Sequence, residues 1–407
     1  MSEWKTVRLG DCCLKIGSGA TPRGGSEVYL KSGIPFIRSQ NVYNDHFDYS
    51  GLVYLSQEQA RLLDGVKVLS GDILLNITGD SVARVNQVPH DVVPARVNQH
   101  VAIIRPDEEM LNARFVRYFL STAQMQSHML GLASSGATRN ALTKGMIEDF
   151  KIPCPPILQQ QAIARILGSI DDKIELNRRM NETLEALCQT LFKAWFVDFE
   201  PFGGVMPEDW KVERLGDVAR NISRRFDFSW HDKVVFINTG DVLDGQFLHH
   251  DVSTSSTLPG QAKKAIQPND ILISEIRPGN GRYAFVDFDA HNYVISTKFM
   301  VIEPIVEMDT LYLYKTLTSQ AYLEEFQRIA ETRSGTFPQI TFESIARCEI
   351  LVPSQSYQRR FASATNPLYQ KIKANIEENQ TLAKLRDALL PRLLSGELRI
   401  QDVEAQL

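Results

Sequence analysis

His100-Val101-Ala102-Ile103-Ile104-Arg105-Pro106 returns 198 residues later as Lys298-Phe299-Met300-Val301-Ile302-Glu303-Pro304, and the same offset carries Gly71-Asp72-Ile73-Leu74-Leu75 onto Asn269-Asp270-Ile271-Leu272-Ile273. Two pairs of apolar runs held at one offset mark an internal repeat, so the chain contains one folding unit written twice. Working outward, Leu9-Gly10-Asp11 and Leu215-Gly216-Asp217 open the units, each with a tryptophan just upstream at Trp4 and Trp210. Ser135-Gly136-Ala137-Thr138 pairs with Ser334-Gly335-Thr336, and Lys151-Ile152-Pro153 with Leu351-Val352-Pro353.

Short β-type runs bounded by Gly and Pro occupy 34–38, 73–78 and 101–105 in the first unit and 234–238, 271–276, 283–288 and 299–303 in the second. They predict a sheet in each. A helical stretch follows, over about 112–130 and 310–329, then a polar loop and a last strand ending in Pro. The expected fold class is α/β (α+β), two repeated domains joined by long helices.

Those helices show heptad spacing. Ile163, Ile170, Leu184 and Leu191 form one row of the first, Leu167, Ile174, Cys188 and Trp195 the other, interrupted by Asn177 and Asn181. The second carries Phe361, Leu368, Leu382 and Leu389 with Ile372 and Leu393, interrupted by Asn375 and Asn379, again 198 residues on. A buried asparagine costs stability unless another polar group satisfies it, so the two pairs are expected to meet and set the register. Because each pair lies near its helix midpoint, this requires an antiparallel coiled coil and a pseudo-twofold object. Exposed asparagines on ordinary core helices are the competing reading. Pro367 is expected to break the second helix, with Thr365 or Asn366 capping a restart, and Pro391 interrupts it again. Lys173, Glu175, Arg178 and Arg179 are expected on the outer, solvated face. The division that follows is a domain over 1–155, a helix over 156–198, a Gly/Pro linker over 199–209, a second domain over 210–354, and a second helix with tail over 355–407.

Composition narrows the class. A chain of 407 residues can bury two or three domain cores. It has no run of about 18 apolar residues, and Met1-Ser2-Glu3-Trp4-Lys5 lacks the apolar core of an export signal, which points to the cytoplasm and away from a membrane. Five cysteines (Cys12, Cys13, Cys154, Cys188 and Cys348) without a Cys-x-x-Cys pair read as free thiols. A formal net charge of -5 excludes a uniformly basic nucleic-acid binder, so any phosphate-binding face must be local.

The ordered landmarks, two units and two heptad helices together resemble the specificity subunit of type I restriction-modification systems over nearly the whole chain. The resemblance implies that each α/β unit is a target recognition domain for one half of a split site on double-stranded DNA, and that the helices hold the two apart. It implies partners as well: two methyltransferase subunits that modify adenine with S-adenosylmethionine, restriction subunits that cleave with ATP and magnesium, and one copy of this chain per complex. The chain itself is then expected to hold no catalytic, cofactor or metal site. At about 1.5 Å per residue, helices of roughly 35 to 40 residues span roughly 50 to 60 Å, enough to separate two readers along a duplex.

Residue type and loop position select the DNA-reading candidates, since arginine can take guanine and asparagine adenine by paired hydrogen bonds. In the first unit they are Thr21 and Arg23 in the loop 17–23, Arg38, Ser39 and Asn41, Thr78 and Arg84, and Arg139 with Asn140. In the second they are Arg224, Arg225, Asn238, Thr239, Arg277, Arg282, Arg333 and Gln339. Gln99 and Lys298 sit beside matching strands. The bland reading of each is a turn residue or a phosphate contact, which outnumber base contacts.

Rival functions find little support. Asn366-Pro367-Leu368-Tyr369 is near the Asn-Pro-Pro-Tyr of adenine methyltransferases, but Leu368 stands where the second proline belongs. Gly131 to Thr138 has the glycines of a phosphate loop, with Ala137 where lysine is required. Asp270, Glu275 and Arg277 loosely match a nuclease strand whose partner in the first unit lacks the glutamate. His249 and His250 do not have the spacing of a helical metal site. A scaffold that binds proteins instead of DNA remains the alternative that sequence separates least well.

Overall fold

The computed structural model describes residues 4–134, 140–333, 337–398 and 400. It is a mixed helix and sheet protein of two compact units, Met1–Asn181 with Lys373–Leu407, and Glu182–Ile372. The division falls inside both long helices, so each unit combines one α/β half with a segment of each helix.

In the first unit an antiparallel sheet runs in the order Cys13–Ser18, Val101–Pro106, Ile73–Asn76, Val85–Gln87. A second sheet runs Val53–Leu55, Ile34–Ile37, Ala95–Val97, Lys67–Val68, its middle pair parallel. The expectation of one sheet is therefore corrected to two. Packing explains the unbroken apolar runs. Ile73, Leu75, Ala102 and Ile104 face a core shared with helices, while Leu74, Val101 and Ile103 face a core shared with Ile37 and Val97 of the other sheet. A strand covered on both sides has no polar face to alternate with.

The second unit repeats this with a four-stranded sheet (Ala219–Ile222, Phe299–Pro304, Ile271–Ser274, Tyr283–Phe285) and a five-stranded one centred on Tyr293–Ser296. The pairing register is copied: Ile73 faces Ile104, and Ile271 faces Ile302. Each unit is closed by a two-stranded sheet, Lys5–Arg8 with Lys151–Cys154 and Lys211–Arg214 with Glu349–Val352.

Each helical stretch expected as continuous is two helices, Ala113–Leu120 and Ala123–Ser134 in the first unit, Thr310–Leu317 and Gln320–Arg333 in the second. Asn112 and Asp309 cap the first helix of each pair through their side chains. Behind each cap lies a buried glutamine. Gln160 accepts from the Asn112 amide at 2.9 Å and donates to the Pro155 carbonyl at 2.9 Å; Gln358 does the same with Asp309 at 2.7 Å and Pro353 at 2.6 Å. These bonds fasten the start of each long helix to its α/β half.

The long helices span Ile157–Phe196 and Gln355–Leu394. The second is not broken at Pro367 or Pro391, and Thr365 caps nothing: its hydroxyl donates back to the Phe361 carbonyl at 3.0 Å inside the helix. Buried packing on both sides of Pro367, at Phe361 and Ile372, holds the backbone helical despite the lost hydrogen bond. In the first unit the two helices run antiparallel, because the Asn177 amide donates to Asn379 at 2.8 Å and the Asn375 amide to Asn181 at 2.8 Å. Among the described residues no helix is long and apolar enough to cross a membrane, and all five cysteines are free thiols.

Candidate nucleic-acid interface

In both units the strand ends gather loops by the same backbone bonds. The Ile77 amide donates to the His100 carbonyl at 2.9 Å and the Leu142 amide to the Ile77 carbonyl at 2.8 Å. In the second unit the Glu275 amide donates to the Lys298 carbonyl at 2.8 Å and the Ile340 amide to the Glu275 carbonyl at 2.8 Å. The side chains displayed there differ between the units.

In the first unit Thr21, Gln99 and Thr78 are brought together, joined through His100, which sequence reasoning did not single out. Thr21 donates to the Gln99 side-chain oxygen, Gln99 Nε2 lies 3.0 Å from His100 Nε2, and His100 Nδ1 lies 2.6 Å from Thr78 Oγ1. Asn140 joins this edge through its carbonyl, which accepts from the Gly79 amide at 3.2 Å. Arg23 is exposed two residues past Thr21. Ser39 lies nearby, its carbonyl accepting from the buried Asn76 amide at 2.8 Å.

Other candidates are committed to the fold. Asn41 is fully buried, its oxygen taking the Arg38 amide at 2.9 Å and its nitrogen donating to the Asp48 carbonyl at 2.8 Å, so it holds a turn. Half-buried Arg38 donates to the Gly51 carbonyl at 2.7 Å. Arg84 stacks over Tyr43, 4.3 Å from the ring centre. Arg139 lies outside the described residues.

The second unit divides likewise. Arg224 is held between Asp270, at 2.7 and 2.9 Å, and Glu303, at 3.0 Å, an ion-paired arrangement that ties its guanidinium to the fold. Two carboxylates take its Nη1 and Nη2 donors and fix its orientation. The same position in the first unit is filled in reverse, with Arg105 from the strand pairing to buried Asp72 at 2.7 and 2.8 Å. Arg282 donates to the Gly240 and Val242 carbonyls at 3.0 and 2.8 Å and pins their loop. Asn238 bonds to the Thr239 amide at 2.9 Å, beginning the short turn over 239–241. Exposed positions are Arg225, Arg277 and Gln339. Arg277 adopts φ +45° while its amide donates to the Pro338 carbonyl at 3.0 Å, which brings it beside Gln339. Lys298 lies 3.9 Å from Glu275. The side chain of Arg333 lies outside the described residues.

The helix charges expected to face solvent are engaged in the first unit. Arg178 pairs with Asp45 at 3.2 Å, Arg179 with Glu175 at 2.9 Å and Asp91 at 3.3 Å, and Lys173 with Asn177 at 3.0 Å and Glu378 at 3.1 Å. Arg178 and Arg179 meet acids on loops, Lys173 meets the long helices, and all three side chains keep the expected partial exposure to solvent. The arrangement offers donors and acceptors on loop edges; among the described residues no group of three His, Cys, Asp or Glu could hold a metal.

A family model for the type I restriction modification DNA specificity domain matches residues 1–186 and 207–384. The chain is 55% identical over 184 residues to the specificity subunit of the type I restriction enzyme HindI from Haemophilus influenzae, a match covering 44% of this chain and 40% of that protein. It is 26% identical to the MjaIX specificity subunit of Methanocaldococcus jannaschii over 98% of this chain and 95% of the other. The crystal structure of a type I restriction-modification S subunit from M. genitalium shares the fold, with a TM-score of 0.63 at 15% identity and 96% of each chain covered.

Proposed function

This chain belongs to the type I restriction modification DNA specificity family, and from that premise we propose that it reads a two-part site on duplex DNA, one part with each unit. One observation carries the reading: identical backbone bonds at Ile77, His100 and Leu142 and at Glu275, Lys298 and Ile340 display different side chains. Base edges are told apart by the side chains presented to them, so one scaffold with two sets of side chains suits two dissimilar half-sites.

On this reading the chain chooses the site and carries no catalytic centre. Two methyltransferase subunits using S-adenosylmethionine and restriction subunits using ATP and magnesium do the chemistry, around one copy of this chain in the cytoplasm. Exposed Arg23, Arg225 and Arg277 supply local positive charge in a protein of net charge -5. Anisotropy of a labelled duplex, with the full chain and its methyltransferase partner titrated at low and moderate salt, tests the proposal. Affinity should fall steeply with salt, and Arg277→Ala should lower the logarithmic slope by about one. Binding that ignores DNA at both salt concentrations refutes the reading in favour of a protein scaffold.

A further inference from the structure

We propose that Gln99 reads an adenine in the half-site of the first unit, its amide oriented by Thr21 and His100; this rests on the DNA reading above. The directions of the hydrogen bonds follow from chemistry. A side-chain carbonyl can only accept, so Thr21 donates to Gln99 Oε1. An amide nitrogen can only donate, so His100 Nε2, 3.0 Å away, accepts. With Nε2 accepting, Nδ1 is left to donate to Thr78 Oγ1 at 2.6 Å. Each end of the Gln99 amide has one bond satisfied and one left over: a lone pair on Oε1 and an N–H on Nε2.

That remainder complements one base edge. In the major groove adenine presents a donor at N6 beside an acceptor at N7, whereas guanine presents two acceptors, cytosine a donor and thymine an acceptor with a methyl. The backbone presents the amide outward. The Val101 amide donates to the Asn98 carbonyl at 3.2 Å and the His100 amide to Asn98 Oδ1 at 3.1 Å, which leaves Gln99 exposed at the tip of a tight turn. Gly19 lets the Thr21 loop cross this turn. A Cβ there would lie 2.1 Å from the Val97 carbonyl oxygen and 2.3 Å from that of Asn98, so only glycine permits the bond from the Ala20 amide to Val97 at 3.0 Å. The matching turn of the second unit has Thr297 and Lys298 at its tip, with no amide to orient. His100 acts as a positioning residue, since it fixes which way the amide faces.

Selection from a pool of duplexes with two randomised blocks and varied spacers, using the full chain with its methyltransferase partner, tests the assignment. The natural chain should enrich a motif with an adenine that Gln99→Ala no longer requires, with a loss of discrimination of roughly 5- to 150-fold at that position alone. His100→Phe should weaken the same preference and add nothing in the Gln99→Ala background, a non-additivity that simple destabilisation would not produce. If Gln99→Ala enriches an unchanged motif, or relaxes a position that is not adenine, the assignment is overturned while DNA reading stands. If the natural chain enriches nothing, the reading under Proposed function fails with it.

Discussion

The two units dock their long helices through equivalent positions filled with opposite chemistry. In the first, Asp171 accepts from Arg117 at 2.8 Å, the Tyr118 hydroxyl at 2.7 Å and Arg386 at 3.0 Å. In the second, 198 residues from Asp171, stands Tyr369, with Cys188 where the repeat would have Arg386. Lys315 lies 4.5 Å from the Tyr369 ring centre and 5.0 Å from that of Tyr314. The apolar frame around both is preserved, with Ile163 and Phe361 equally buried. Duplication therefore kept the packing and left the polar joint free to diverge. The first unit has an ionic joint, the second a cation and aromatic joint.

That contrast can be broken experimentally, and the largest effect belongs to Asp171→Asn. Removing the carboxylate leaves the mostly buried Arg117 guanidinium without its ion pair, while Arg386 keeps Asp387 at 2.9 Å, at a cost of about 3 kcal/mol, readable by denaturant unfolding of the full chain. Its pH dependence sharpens the point. Burial would raise the Asp171 carboxyl, but Arg117, the Tyr118 hydroxyl and Arg386 outweigh it and hold the group below its ordinary value. A carboxyl with a lowered folded value contributes stability above its unfolded value and loses it as pH falls. The difference between the natural chain and Asp171→Asn should thus be full at neutral pH and shrink below about pH 4. A difference that persists undiminished at pH 3 would show that charge is not what joins the first unit.

A smaller asymmetry lies within the asparagine layer. Asn177 bonds to Asn379, Glu378 and Lys173, whereas the buried Asn375 oxygen has no partner among the described residues. Asn177→Ala should cost about 2 kcal/mol and Asn375→Ala about half that, by the same unfolding measurement. Equal costs would mean that Glu378 and Lys173 add nothing. The smallest effect belongs to the second joint. The buried Tyr369 hydroxyl lies beside the Cys188 thiol without a hydrogen bond of ordinary geometry, so Tyr369→Phe should change stability by less than about 0.5 kcal/mol. A loss as large as that of Asp171→Asn would erase the contrast between the units.

How much was legible follows from what each signal depends on. Strands 73–78 and 271–276 were visible because burial on both faces demands unbroken apolar runs, and the asparagine pairs because they interrupt a heptad. Gln160 and Gln358 went unnoticed, although the offset of 198 residues links them, because a glutamine near a helix start looks like surface. The ion pairs of Arg224 are hidden for a related reason. An arginine at a predicted loop position shows no partner in the sequence, whereas Asp270 and Glu303, 46 and 79 residues away, are found against it. Pro367 misled because local propensity was weighed without the packing that overrides it.

Residue order alone settles the repeat, the two heptad helices and their asparagine interruptions, since these are periodicities along one chain. Spatial assembly settles which polar side chains are consumed and which stay available. Partners such as Arg117 and Asp171, or Thr21 and Gln99, lie 54 and 78 residues apart. Hydrogen bonds and ion pairs depend on distance through space, and no local pattern encodes a contact made over such a separation.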